Sequence, residues 1–247
     1  MDGKAAAACV LGVLAWCAVE ARPLPGAQAG AAPRGPGNPG GPGGIEVVHV
    51  QGKVWMLVTP DGNLALQVGE EGALLVDTGK SGTSDAVKAA IRQITTQPLR
   101  YVINTSAAPN RIGNNAAFGQ SAGADVNEAR VPGPEIIARE AVLIQMSKSN
   151  YPADAWPTDA YLERERKFRF NGEAIEIVYQ PSAYSDGDSL VYFRGSDVIV
   201  AGEIYSTKRF PLVDREHGGT VEGVLAGLNR IEDIAVPAVV VNNFAEG

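Results

Sequence analysis

Few side chains in this sequence could do chemistry, and the densest group lies in YVINTSAAPNRIGNN, from Tyr101 to Asn115. Ser106 could serve as a nucleophile only beside a base that takes its proton, and no His or Lys stands at a motif spacing from it. Arg111 is a permanent cation with five N–H donors, suited to a carboxylate or an anion rather than to a metal ion. The chain has 2 histidines, His49 and His217, too few for an imidazole-built metal centre. His49 falls in a strand-like run and His217 in the turn DREHGGT, where each reads as a structural or surface residue. Asp186 and Asp188 flank a glycine in SDGDS. Two carboxylates are too few oxygens for a calcium loop, so Asp188 is expected to do turn chemistry. Asp77, in LLVDTG, is expected to tie down backbone amides of a neighbouring loop. Cys9 and Cys17 are the only cysteines, and both precede residue 22.

These residues need a frame, and the hydrophobic pattern supplies one. IEVVHV, VWMLVT, NLALQV and ALLVDTG are strand-like runs, the last apolar enough to be central. Ser84 is expected to cap a helix running to about Thr95, with Val87, Ala90, Ile91 and Ile94 on one face. LRYVIN is a further buried strand that delivers the loop after Thr105. Pro134 to Lys148 has helical spacing. Asn171-Gly172 joins KFRF to EAIEIVYQ, since both residues accept the positive φ of a tight turn. SLVYF and DVIVAGE are two more strands, Thr220 begins a helix, and AVVV is a final strand. Tyr151 to Phe168 reads as a lid or as a helix–helix connection packing Trp156 and Tyr161. Two halves, each β-rich and then helical, suit two packed sheets flanked by helices.

The first 21 residues combine a charged start, an apolar run of about 15 residues and the small-residue end Val19-Glu20-Ala21, the pattern of a cleaved export signal. That run is short of the roughly 20 residues a membrane span needs. Ala27-Gln28-Ala29 offers a second cleavage point. Residues 22–44 are a Gly/Pro-rich linker without core-forming side chains. The organisation expected is therefore a signal (1–21), a disordered linker (22–44) and one domain (45–247). Its expected location is periplasmic or extracellular. The formal net charge of −7, with no basic patch interleaved with aromatics, argues against nucleic acid as a partner.

LLVDTG (Leu74–Gly79), YVINT (Tyr101–Thr105), GNN (Gly113–Asn115), AYSDGDSLVYF (Ala183–Phe193) and VIVAGE (Val198–Glu203) occur in an order that resembles the metallo-β-lactamase fold superfamily. The resemblance spans 45–247. It implies an αββα sandwich of two mixed sheets and a zinc-dependent hydrolase of esters, lactams or thioesters. In that family the strand ending in Asn-Thr is followed by His-x-His-x-Asp-His, a further His lies in the AHTDGDS-type motif, and a bridging Asp follows a later strand. An ungapped match puts Ser106, Ala108, Asn110 and Arg111 at the first four positions, Tyr184 at the fifth and Glu203 at the sixth.

Ala108 has no donor atom and Arg111 repels a cation. Ser106, Asn110 and Tyr184 are poor zinc ligands, and Glu203 alone retains a carboxylate. The family's closing Gly-Thr strand and PGH turn would follow NNFAEG, and the sequence stops at Gly247, as in a truncated fold. The expectation is thus a pseudoenzyme without a metal cofactor, its vestigial pocket formed by Ser106, Ala108, Asn110, Arg111, Tyr184 and Glu203. Arg111 and Glu203 are expected to face each other and form an ion pair where the family has metal. The pocket would take a small polar or anionic ligand. A zinc hydrolase with unrecognised ligands and an interaction or scaffold module are the other two classes left open.

Overall fold

The computed structural model describes residues 44–119, 133–207 and 209–236. The expected export signal, all but the last residue of the linker, and the AVVV strand expected at 238–241 lie outside these residues. Every described residue lies in one compact unit. Among the described residues no helix is long and apolar enough to cross a membrane.

Strands β1 (Glu46–Gln51), β2 (Val54–Val58), β3 (Leu64–Gly69) and β4 (Gly72–Val76) form an antiparallel meander. Helix α1 (Ser84–Ile94) then crosses over to β5 (Leu99–Asn104), which lies parallel to β4. The short helices α2 (Pro109–Ile112) and α3 (Asn115–Gly119) fold the loop that follows. Strands β6 (Glu135–Arg139) and β7 (Asp159–Tyr161), with α4 (Glu140–Lys148) between them, complete a mixed sheet in the order β1-β2-β3-β4-β5-β6-β7. A second sheet, ordered β11-β10-β9-β8, comprises β8 (Glu165–Phe170), β9 (Glu173–Gln180), β10 (Asp188–Phe193) and β11 (Val198–Val200). It is antiparallel throughout, not mixed, because tight turns join its strands and leave no room for a crossover. Helix α5 (Val221–Ala235) covers its outer face.

Strand β4 shows why the apolar run is unbroken. Leu74 and Val76 enter the core between the sheets, with Ile175, Ile177, Val191 and Phe193 opposite. Ala73 and Leu75 face the other way, onto Val87 and Ala90 of α1. Both faces are dry, so alternation disappears. Each such fully buried Leu or Val contributes about 1.5–3 kcal/mol relative to exposure. Helix α5 packs Leu228, Ile231 and Ile234 against Val178, Leu190 and Ile204. The architecture is therefore an αββα sandwich.

Three expectations about local structure need correction. Pro134 to Lys148 is not one helix: Ile136 and Ile137 enter opposite core clusters as neighbours on β6, and helix begins only at Glu140. Tyr151 to Phe168 is not a helical connection. It contains a short 3-10 turn at Ala153–Ala155, edge strand β7, and the start of β8. Ser84 is the first helical residue of α1, and the capping position is Thr83. By contrast Asn171 and Gly172 take φ of 52° and 78° in the β8–β9 turn, and the Thr220 hydroxyl accepts the Gly223 N–H at 2.9 Å as an N-cap.

Gly223 sits where α5 meets the loop before β10. A Cβ there would lie 1.8 Å from the Ser182 carbonyl oxygen and 2.3 Å from its carbon. Gly223→Ala is therefore expected to cost about 3 kcal/mol, because backbone rather than a flexible side chain must move. Urea titration would measure it, and a midpoint equal to the parent's would contradict this account of the docking.

Candidate functional site

The ends of β4, β5 and β11 converge at one edge of the sandwich, where Asp77, Arg111 and Glu203 meet. Asp77 follows β4 with φ of 64°, fully buried. Its carboxylate accepts the Thr105 N–H at 2.8 Å and the Thr105 hydroxyl at 2.8 Å. This fixes the start of the loop after β5, the role expected of it. The loop is held further by Asn115, whose side chain pairs with Asn104 and with the Thr78 hydroxyl. Gly113 allows the loop to press on its neighbour, since a Cβ there would meet the Ser81 nitrogen at 2.3 Å. Ser106 is fully buried and accepts the Ala108 N–H at 3.3 Å, a local loop contact rather than a nucleophile's setting.

Arg111, 6% exposed, is enclosed by acceptors. Nε donates to Glu203 Oε1 at 2.8 Å, and Nη2 lies 2.7 Å from the same oxygen. Nη1 donates to the Asn63 carbonyl at 3.0 Å and to Asp77 at 3.3 Å. Nη2 also donates to the Gly202 carbonyl at 3.1 Å. Four of these contacts are hydrogen bonds, one from Nε, two from Nη1 and one from Nη2, and the fifth is the close ion-pair approach of Nη2 to Glu203. Asn110 adds a bond to Glu203 at 2.8 Å and one to the Asp61 carbonyl at 2.9 Å. One side chain thus links the β2–β3 loop, the end of β4 and the segment after β11.

Burial pushes the Asp77 carboxyl up to about 6, outweighing the Arg111 guanidinium and the Thr105 bonds that act the other way. Burial also disfavours the charge on Arg111, but Asp77 and Glu203 more than offset it and leave Arg111 raised.

The six expected pocket positions do not form one pocket: four are shared between two clefts, and Ser106 and Asn110 line neither. Arg111 and Glu203 line one of about 450 Å³, whose walls are largely apolar and include Trp55, Met56 and Val200. Tyr205, Arg209 and Leu212 also line it, beside Phe210, which is 92% exposed. Arg209 reaches Glu203 Oε2 only at 3.7 Å. Ala108 and Tyr184 line the other cleft, of about 290 Å³, together with Gln145, Ser149, Tyr151, Asp214 and His217. Sequence reasoning missed these last two: His217 Nδ1 lies 2.6 Å from Asp214 Oδ2. The signal available was a histidine three residues after an aspartate in DREH. His49 contacts the Gly52 carbonyl and packs edge-on against Trp55, away from the site.

The donor set does not fit zinc. Ala108 offers nothing, Ser106 and Asn110 are spent on protein partners, and a guanidinium occupies the space between the two carboxylates that a cation would bridge. Among the described residues no group of three or more His, Cys, Asp or Glu could hold a metal ion.

No family model matches the sequence, and no curated protein matches it. Solved structures do. A metallo-β-lactamase from Pontibacter korlensis superposes with a TM-score of 0.60 at 14% identity, covering 76% of this chain and 85% of the other. The metallo-β-lactamase IND-7 gives 0.62 at 15% identity, covering 79% and 87%. A Cronobacter sakazakii metallo-β-lactamase described by its HARLDQ motif gives 0.55 at 19% identity, covering 76% and 74%. The chain has the metallo-β-lactamase fold. Its helix–sheet–sheet–helix layering is the feature that matches the resemblance in sequence.

Proposed function

We propose that this is an exported, non-catalytic protein of metallo-β-lactamase fold, which retains a cleft at the former active-site edge for a small polar ligand. The observation that carries this reading is the chemistry of the six matched positions. Five hold Ser, Ala, Asn, Arg and Tyr, and the sixth, Glu203, has one oxygen taken up by Arg111 and Asn110. Without a Lewis acid, a hydrolase of this design has nothing to generate hydroxide near neutral pH. The full chain, expressed with zinc in the medium and passed through gel filtration, is expected to carry less than about a tenth of a zinc per chain. It is also expected to leave a chromogenic lactam intact when zinc is added. One or two tightly held zinc ions would overturn the reading.

A second reading has one observation in its favour. Phe210 is 92% exposed, and Tyr205 and Leu212 beside the larger cleft are about half exposed. An apolar rim of this kind is what a protein-binding surface presents.

A further inference from the structure

We propose that the smaller cleft, the one beneath Tyr184, is a binding site for an alkylated ammonium compound. This rests on the reading of the protein as a ligand-holding frame and names the ligand's chemistry. The sequence suggested a small polar or anionic ligand near Arg111, Asn110 and Tyr184, and the anionic option leaned on the charge of Arg111. The structure removes that argument, because Arg111 is 6% exposed, donates four hydrogen bonds to protein acceptors and lines the other cleft.

What remains around the smaller cleft favours a cation. Among the described residues its lining has no Lys or Arg. It has one carboxylate, Asp214, and two phenol rings, Tyr151 and Tyr184. Asp214 is tied to the cleft's histidine through Nδ1 at 2.6 Å and through the His217 N–H at 3.3 Å. These two bonds hold the carboxylate in place and leave lone pairs over.

The backbones of Tyr184 and Asp214 are joined: the Tyr184 carbonyl accepts the Asp214 N–H at 2.7 Å, and both residues line the cleft. The field at Tyr184 is negative. Its phenol is raised first by burial and then by Asp214, Glu203 and Asp188, with Arg209 the single opposing charge. An anion placed there would meet the Asp214 carboxylate and no Lys or Arg in the lining.

A cation would meet the two tyrosine rings and the carboxylate that line the cleft, the residue types that recognise quaternary ammonium groups. Alkylation matters because such a group has a small hydration cost and needs no hydrogen-bond acceptors. Ala107, Ala108, Pro109 and Met146 supply an apolar part of the lining for the alkyl groups. The volume of about 290 Å³ corresponds to ~10 water-sized groups.

The test is a titration of the full chain with choline chloride, followed by calorimetry and by the thermal midpoint. Sodium acetate and sodium phosphate at equal ionic strength are the controls. One saturable site of about 1 mM affinity is expected for choline and none for the anions. Asp214→Asn keeps an acceptor for the His217 N–H but loses the charge, and is expected to weaken choline about fivefold to tenfold. Tyr184→Leu should weaken it similarly, whereas Tyr184→Phe, which retains the ring face, should bind as the parent does. Binding of acetate or phosphate in place of choline, no saturation by choline, or variants that all bind alike would each overturn the proposal. Zinc in the purified protein would sink the non-catalytic reading whatever choline does. A zinc-free chain indifferent to choline would sink this proposal alone.

Discussion

Arg111→Ala is expected to lower the unfolding free energy by about 4 kcal/mol, a shift of roughly 10 °C in thermal midpoint for a domain of this size. The reason is what it leaves behind. Asp77 and Glu203 would face each other with no cation between them, and the carbonyls of Asn63 and Gly202 would lose their donor. Neither carboxylate can reach water easily, since Asp77 is fully buried and the Glu203 side chain is 9% exposed. Arg111→Lys restores the charge but brings three donors instead of five, in no planar fork, so partial recovery is expected. Guanidinium ion at concentrations well below denaturing ones should raise the midpoint of the alanine variant and not that of the parent, because it can refill the vacated space. An alanine variant as stable as the parent, or a lysine variant indistinguishable from it, would show that the guanidinium's geometry is not what joins the three segments.

Asp188 gives the second large effect, and its signature is pH dependence. The side chain is 1% exposed. Oδ2 accepts the N–H and the hydroxyl of Ser185, while Oδ1 is buried without a partner. Burial, only partly countered by Ser185, pushes the carboxyl up to about 7 from 3.8. The folded state therefore holds the proton more tightly than the unfolded chain. That stabilisation is complete below pH ~4 and is lost as pH rises through about 7, a change on the order of 4 kcal/mol. Asp77, raised to about 6, adds to the decline within the same window. Asp188→Asn keeps an acceptor for Ser185 and cannot ionise. It is expected to be more stable than the parent at pH 8 and to show a shallower slope from pH 4 to 7, with the share of Asp77 remaining. Urea titrations at four pH values would decide it, and parallel curves for parent and variant would refute the assignment.

Much of the fold was legible because its strongest signals are local. The run ALLV is apolar without alternation because two cores flank it, and Asn171-Gly172 can hardly be anything but a tight turn. The same locality misled at Pro134 to Lys148. Ile136 and Ile137 sit within a pattern that also satisfies a helix, and only the presence of β5 alongside selects a strand. Arg111 and Glu203 could be paired in advance because both follow strand ends at recognisable motifs. The smaller cleft could not be foreseen. Asp214 and His217 come to Tyr184 through backbone bonds, Asp214 N–H to the Tyr184 carbonyl and Asp186 N–H to the His217 carbonyl. Backbone bonds carry no side-chain signature, so DREH looked like an ordinary surface turn. The side chain of His217 is indeed 44% exposed, and it lines a cleft all the same.

The guanidinium between Asp77 and Glu203 is part of the chain, and that changes what dilution and competition can do to the protein. A fold fastened by a bound ion owes part of its stability to the free concentration of that ion, as the logarithm of concentration over dissociation constant. Chelators, acid and rival metals all act through that quantity. A fastening carried on Arg111 has no dissociation constant. Its strength is the same in a metal-starved medium as in a replete one, because the cation that joins the two carboxylates is covalently part of the polypeptide.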